Sequence, residues 1–381
     1  MIDFDHFPPR RNTESVKWRL FDEDVLPMWV ADMDFRSPEV VIKALHERVE
    51  HGVFGYPIPQ EEFRQVVVER MENRYKWKIS PEDLIFLPGV VTGFNLVCQA
   101  LTQPGQAAII QTPVYFPFLS APENAGLIKQ ENQLVMASDR RYEIDFDDFE
   151  QKITPQTKMF ILCNPHNPVG RVFTGAELEK LAEICERHDI FICSDEIHSD
   201  LVFNGISHTP IATLGNETAA RTVTLIAPSK TFNIAGLECS IAIAPNPEIR
   251  ERIECARKGL VHGVNVLGLT AGLAAYRGGG EWLEELLVYL EGNRDFLAKF
   301  VENELSGVHM SPMEGTYLAW LDCRDTKIAE NPAKAFLEKG RVALNNGADF
   351  GRGGEGFVRL NFGCPRSMLQ DALERMAKVL K

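Results

Sequence analysis

The sequence predicts an α/β fold: a mostly parallel, doubly wound sheet in a large domain, joined to a smaller α+β domain. Three observations predict it. Short apolar runs of strand length recur through the middle of the 381-residue chain, without the alternation of a half-exposed strand. Helical patterns with their own start signals lie between them. After about residue 280 the order changes to one long helix followed by strands and helices in mixture.

The runs at 84–87, 107–110, 159–162, 190–193, 223–226 and 240–243 read as strands buried on both faces. Ser37-Pro38 supplies an N-cap and a first-turn proline for a helix that ends near Gly52. Gly89 opens a helix toward Leu101. Thr174-Gly175-Ala176-Glu177 is a capping box that starts a helix toward Arg187. Further on come a helix over 281–305, a strand at 316–321, a helix after Pro332, a strand at 357–361 and an amphipathic helix after Pro365. The expected division is a large domain over 45–280 and a small domain made of 1–44 with 281–381.

The formal net charge of −14 argues against phosphate-backbone binding as the main function, so no nucleic-acid partner is expected. Apolar residues at 45% and charged residues at 25% are ordinary for a water-soluble globular chain. Met1-Ile2-Asp3-Phe4-Asp5-His6 has neither a basic stretch nor an apolar core, so secretion is not expected. No apolar run reaches membrane-spanning length. The 8 cysteines are scattered with no Cys-x-x-Cys pair, and Cys163 and Cys193 sit in strand-like runs as small buried residues. A reduced, cytoplasmic compartment is expected.

Several polar residues stand at the ends of these strands, the edge where open α/β sheets bind cofactors. Lys230 follows the run at 223–226, in Pro228-Ser229-Lys230-Thr231-Phe232-Asn233. An amine there can bond an aldehyde cofactor; alone, it reads as a surface lysine. Asp195, in Ser194-Asp195-Glu196-Ile197-His198, could hold a pyridine nitrogen protonated or cap a helix. Asn167 lies in Asn164-Pro165-His166-Asn167-Pro168, a turn that could also aim its amide at a phenolic oxygen. Backbone N–H groups at Val90 and Val91, past Gly89, could bind a phosphate. Tyr115 could stack on a ring or simply pack in the core. Arg359 is a lone cation in an apolar strand, read as a carboxylate clamp or a structural ion pair. His198 orients a contact or is structural. Asp32 and Asp34 read as loop caps, and no histidine cluster supports a metal.

Four motifs in order carry a family resemblance. They are Met28-Trp29-Val30-Ala31-Asp32-Met33-Asp34-Phe35, Ser194-Asp195-Glu196-Ile197-His198-Ser199-Asp200, Ser229-Lys230-Thr231-Phe232-Asn233-Ile234-Ala235-Gly236-Leu237, and Gly356-Phe357-Val358-Arg359-Leu360-Asn361-Phe362-Gly363-Cys364-Pro365-Arg366. With them the chain resembles the class I/II aminotransferase superfamily of pyridoxal 5′-phosphate (PLP) enzymes, and within it the MalY/PatB-type cystathionine β-lyases. The resemblance implies the PLP-dependent transferase fold and a C–S β-lyase that cleaves cystathionine or related S-substituted L-cysteines to a thiol, pyruvate and ammonia. An aminotransferase and a regulatory PLP-binding protein are the alternatives.

The resemblance also implies roles. Lys230 would be the Schiff-base lysine and general base, Asp195 the pyridinium partner, Asn167 the phenolic-oxygen contact and Tyr115 the stacking ring. Val90, Val91, Ser229 and His198 would also meet the cofactor. Arg359 and Val30 would meet the substrate. Tyr56, in Gly55-Tyr56-Pro57, would reach the cofactor phosphate of a neighbouring subunit, implying a homodimer. Three positions depart from the wider aminotransferase pattern: His198 in place of a tyrosine, Ala227 in place of a phosphate-binding Ser or Thr, and Glu238 in place of a phosphate-binding arginine.

Overall fold

In the computed structural model, which describes residues 2–381, the continuous apolar runs become six strands of a seven-stranded sheet. Its strands are β1 (Leu84–Leu87), β2 (Ala107–Thr112), β3 (Ile128–Gln133), β4 (Thr157–Cys163), β5 (Phe191–Asp195), β6 (Thr222–Ile226) and β7 (Ser240–Ile243). The spatial order is β1-β7-β6-β5-β4-β2-β3. β2 through β6 pair in parallel, whereas β7 runs antiparallel to both β1 and β6. The reversal at β7 has a local cause. The β6–β7 connection holds only the short turns Pro228–Thr231 and Ala235–Leu237, not the long helix of a parallel crossover.

Sequence reading missed β3. Its residues Ile128-Lys129-Gln130-Glu131-Asn132-Gln133 contain no apolar run, because this edge strand is left partly exposed, unlike the buried edge strand β1. Charged side chains there discourage pairing with another chain.

Helices cover both faces. Val90–Leu101 buries Phe94, Leu96, Val97 and Cys98 against Leu87, Ile110, Ile161 and Val223. Gly175–Arg187 buries Leu178, Leu181 and Ile184 on the opposite side, against Phe160, Leu162 and Ile192. Its capping box forms as expected: Glu177 N donates to Thr174 Oγ1 (3.3 Å) and Thr174 N donates to Glu177 Oε2 (2.7 Å). The expected Ser37 cap does not form. The helix is Glu39–Glu50 with Pro38 at its N-cap, and Ser37 Oγ donates instead to the Asn233 carbonyl (3.0 Å). A long-range carbonyl has taken the hydroxyl that local patterning assigned to the helix.

The second sheet has four antiparallel strands: β8 (His309–Met310), β9 (Leu318–Asp322), β10 (Asn345–Asn346) and β11 (Phe357–Asn361), in the order β8-β9-β11-β10. The helices Gly280–Glu304 and Arg366–Leu380 pack beside it, burying Leu286, Leu290 and Leu297 with Leu369, Leu373 and Met376 in one core. The N-terminal chain reaches this region through Leu26–Pro27, which pairs in parallel with Val342–Ala343. No helix among the described residues is long and apolar enough to cross a membrane, and all eight cysteines are free.

Candidate active site

Parallel strands point their carboxyl ends the same way, and that edge gathers the polar residues. Tyr115 follows β2, Asn167 follows β4, Asp195 ends β5 and Lys230 follows β6. They line one cavity of about 340 Å³ together with Val90, Val91, Ser229 and His198. A larger groove of about 710 Å³ surrounds Tyr56, but none of the strand-end groups lines it.

Lys230 Nζ donates to the Ala31 carbonyl at 2.7 Å. Burial pushes its pKa down to about 8, with Arg359 pushing the same way and Asp32 and Asp195 opposing. Asp195 is buried, and its Oδ1 accepts from Ile197 N at 3.0 Å. Oδ2 has no partner among the described residues. Burial lifts this carboxyl to about 7, against the pull of the Ile197 N–H and Lys230.

Arg359 comes from the other sheet. It lies on β11 and is 2% exposed. Its NH1 donates to Asn167 Oδ1 (3.0 Å), and its NH2 donates to Asn345 Oδ1 (2.6 Å) and the Trp29 carbonyl (2.9 Å). The guanidinium also lies over the Phe350 ring, 5.0 Å from its centroid. No carboxylate among the described residues pairs with it, and Nε is buried without a partner. Burial brings its pKa down to about 10. Of the two sequence readings, the structural ion pair is therefore absent. What remains is a desolvated cation with unused donors, which favours binding an anion.

The helix Val90–Leu101 starts at Gly89, whose φ of 105° suits glycine, and no side chain caps it. The Gly89 N–H is used by Leu87 and Ser240, leaving the first-turn N–H groups of Val90 and Val91 for a ligand. His198 is buried, its Nδ1 has no partner, and burial drives its pKa down to about 3, so the ring is neutral. Burial also raises the Tyr115 hydroxyl.

Two expected site residues stand apart. Val30 is not part of the cavity wall; its neighbour Ala31 is, while the Val30 carbonyl accepts from Asn361 Nδ2. Tyr56 is fully exposed within its own chain. Ala227 is buried and off the wall, whereas Glu238 lines the cavity. Asp32 and Asp34 are not loop caps. Asp34 is buried and accepts from Lys17 Nζ, Trp18 Nε1 and Arg10 NH1 (2.7, 2.8 and 2.7 Å), and Asp32 pairs with Arg10. These partners lie on the preceding irregular segment, which local patterning does not reveal. Sequence reading also missed Asn345, Tyr317 and the Ala31 carbonyl.

The raised Asp195 pKa makes a stability prediction for the cofactor-free chain. A carboxyl ordinarily near 3.8 stays protonated in the folded state up to about 7. Over that window the folded chain holds a proton the unfolded chain has released, so Asp195 lowers stability as pH rises and its penalty is complete above about 7. Asp195→Asn should flatten the fall in Tm across this window and melt higher than the parent above it. Parallel Tm–pH curves for the two proteins would reject the buried, uncompensated carboxyl.

The chain belongs to the class I and II aminotransferase family, whose model matches residues 23–376. It is 44% identical over 388 residues to cystathionine beta-lyase PatB of Bacillus subtilis (strain 168), covering 100% of each protein. It is 36% identical to a cystathionine beta-lyase of Corynebacterium glutamicum, covering 97% of this chain and 98% of that one. Cystalysin from Treponema denticola, whose crystal structure contains a pyridoxal 5′-phosphate cofactor, superposes with a TM-score of 0.95 at 35% identity, covering 100% of this chain and 99% of that one.

Proposed function

We propose that this chain is a PLP-dependent C–S β-lyase that cleaves cystathionine or a related S-substituted L-cysteine to a thiol, pyruvate and ammonia. The observation that carries the reading is the meeting of Lys230 and Asp195 at one cavity, with Arg359, which has no carboxylate partner among the described residues, bonded directly to Asn167 of its wall. The full-length likeness to cystathionine β-lyases supports the reaction type.

The residues fit the cofactor. An unpaired Asp195 oxygen suits a protonated pyridine nitrogen. The Asn167 amide nitrogen has no partner among the described residues, while its Oδ1 is held by Arg359, so it can donate to a phenolic oxygen. The uncapped helix start at Val90 and Val91, with Ser229 beside it, suits a phosphate. Tyr115 offers a ring at the same wall. When bound, PLP supplies an electron sink for the carbanion at the substrate Cα.

The chain's own groups do the rest. Arg359 binds the substrate α-carboxylate with the donors that Asn167, Asn345 and the Trp29 carbonyl leave unused. Lys230, with its pKa near 8, removes the Cα proton as general base. Loss of the β-thiolate follows, and water completes the products. His198, being neutral, accepts or donates a hydrogen bond without adding charge. Further parts of the proposal are a homodimer in which Tyr56 serves the neighbouring site, a cytoplasmic location, and the division into 45–280 and 1–44 with 281–381. The exposed apolar residues Val53, Phe54 and Ile58 around Tyr56 support the dimer.

Transamination is the second reading, favoured by the family match itself. Incubation with L-cystathionine alone separates the two. We expect catalytic release of pyruvate and homocysteine with no 2-oxo acid added. A single stoichiometric turnover that resumes only with an oxo acid would make the protein an aminotransferase.

A further inference from the structure

Irregular backbone over 29–35 runs between the two sheets, and two asparagines hold it. Asn361, on β11, donates from Nδ2 to the carbonyls of Val30 and Asp32. Asn233, three residues beyond Lys230, grips the other end. Its Oδ1 accepts from Met33 N (3.0 Å), and its Nδ2 donates to the carbonyls of Met33 (3.0 Å) and Phe35 (2.7 Å). Ala31 lies between the two carbonyls that Asn361 holds, two residues before the Met33 that Asn233 grips. Its carbonyl accepts from Lys230 Nζ at 2.7 Å and from the Tyr317 hydroxyl at 2.9 Å. Both lone pairs of that oxygen are engaged, so it offers nothing to a third donor.

The turn itself is built around Asn233. Its φ of 57° is left-handed, a conformation asparagine tolerates better than most residues. Ser37 Oγ donates to its carbonyl and fixes it further (3.0 Å). The residue that closes the lysine turn thus also holds the strip of backbone that receives the lysine amine.

We infer that Asn233 is a positioning residue: by clamping Met33 and Phe35 it holds the Ala31 carbonyl as the resting place of the Lys230 amine. The inference rests on the reading of Lys230 as the cofactor-bonding and general-base lysine. A carbonyl acceptor at 2.7 Å favours the ammonium form. It acts with Asp32 and Asp195 against Arg359 and burial, while the neutral His198 and the protonated Tyr317 add no charge. Losing the clamp therefore both misplaces the amine and makes it shed its proton more readily.

Asn233→Gly is the clean variant, because glycine keeps the left-handed backbone and deletes only the side-chain bonds. The full chain is freed of cofactor, and the rate of PLP uptake, read by absorbance, is followed against pH. Uptake rises as the Lys230 amine loses its proton. We expect the midpoint of that rise to fall by about one pH unit in Asn233→Gly. In the reloaded enzyme kcat should fall about 100-fold while KM for cystathionine changes no more than about threefold. Ser37→Ala loosens the same turn without entering the cavity, and it decides the matter if Asn233→Gly does not fold: its midpoint should move the same way by a smaller amount. An unshifted midpoint in the folded variant, with only a lower Tm, overturns the inference and leaves the functional reading standing. A rise of uptake with pH that keeps the parent's midpoint in Lys230→Ala removes both.

Discussion

Lys230→Ala should lower kcat for cystathionine cleavage by about 10⁴-fold, the upper range for losing a positioned general base. No other amine among the described residues lines the cavity, so nothing nearby replaces it. An added small alkylamine should restore part of the rate, because the methyl side chain leaves room where the lysine stood. The same variant should not melt lower than the parent when both are free of cofactor. Lys230 ordinarily titrates near 10.5 and is held near 8 in the folded chain. Below about 8 the folded state bears the full cost of a desolvated ammonium. As pH rises from there toward the unfolded value, the folded chain sheds its proton first and the cost is relieved. The variant's advantage in Tm should therefore be greatest below about pH 8 and shrink above it. Turnover within tenfold of the parent would show that Lys230 does not move the Cα proton.

The sheet was legible where strands are buried on both faces, as at Phe160-Ile161-Leu162 and Ile192-Cys193, because burial alone dictates an apolar run. It was illegible at the edge strand Ile128–Gln133, where exposure permits lysine and glutamate. The site divides along a similar line. Lys230, Asp195, Asn167 and Tyr115 each stand just past or at the end of a readable strand, so their common edge followed from the topology. Arg359 announced itself as a cation among apolar neighbours. Its partners did not, because Asn345 sits on a two-residue strand and the Trp29 contact is a backbone carbonyl. The Ala31 carbonyl was beyond reach for the same reason: a backbone oxygen carries no residue signature. Asp34 looked like a local cap because the charges that bury it, Lys17 and Arg10, lie 17 and 24 residues earlier.

Arg359→Leu should lower kcat/KM for cystathionine by about 10³-fold, the expected loss for two charge-assisted hydrogen bonds at about 1.5–3 kcal/mol each. Most of the loss should appear in KM if Arg359 grips the carboxylate equally before and during proton removal. Arg359→Lys should fall between the two proteins, since an ammonium offers a point charge where a planar fork is needed. Burial would also push that lysine toward its neutral form, so its residual activity should decline as pH rises, whereas arginine stays charged to about 10. A decarboxylated substrate, an S-substituted cysteamine, provides the control: parent and Arg359→Leu should bind it about equally. If the leucine variant loses as much affinity for the decarboxylated compound as for cystathionine, Arg359 serves the pocket's structure rather than the substrate. The structure makes that outcome distinguishable in advance. Arg359 NH1 also holds Asn167 Oδ1, a bond that Arg359→Leu removes in either case, so a role in holding the pocket would show as weakened PLP binding. If Arg359 serves the substrate, the Tyr115 N–H bond to the Asn167 backbone carbonyl (3.0 Å) is enough to keep that turn in place, PLP affinity stays within about threefold of the parent, and the loss is confined to substrates that carry the carboxylate.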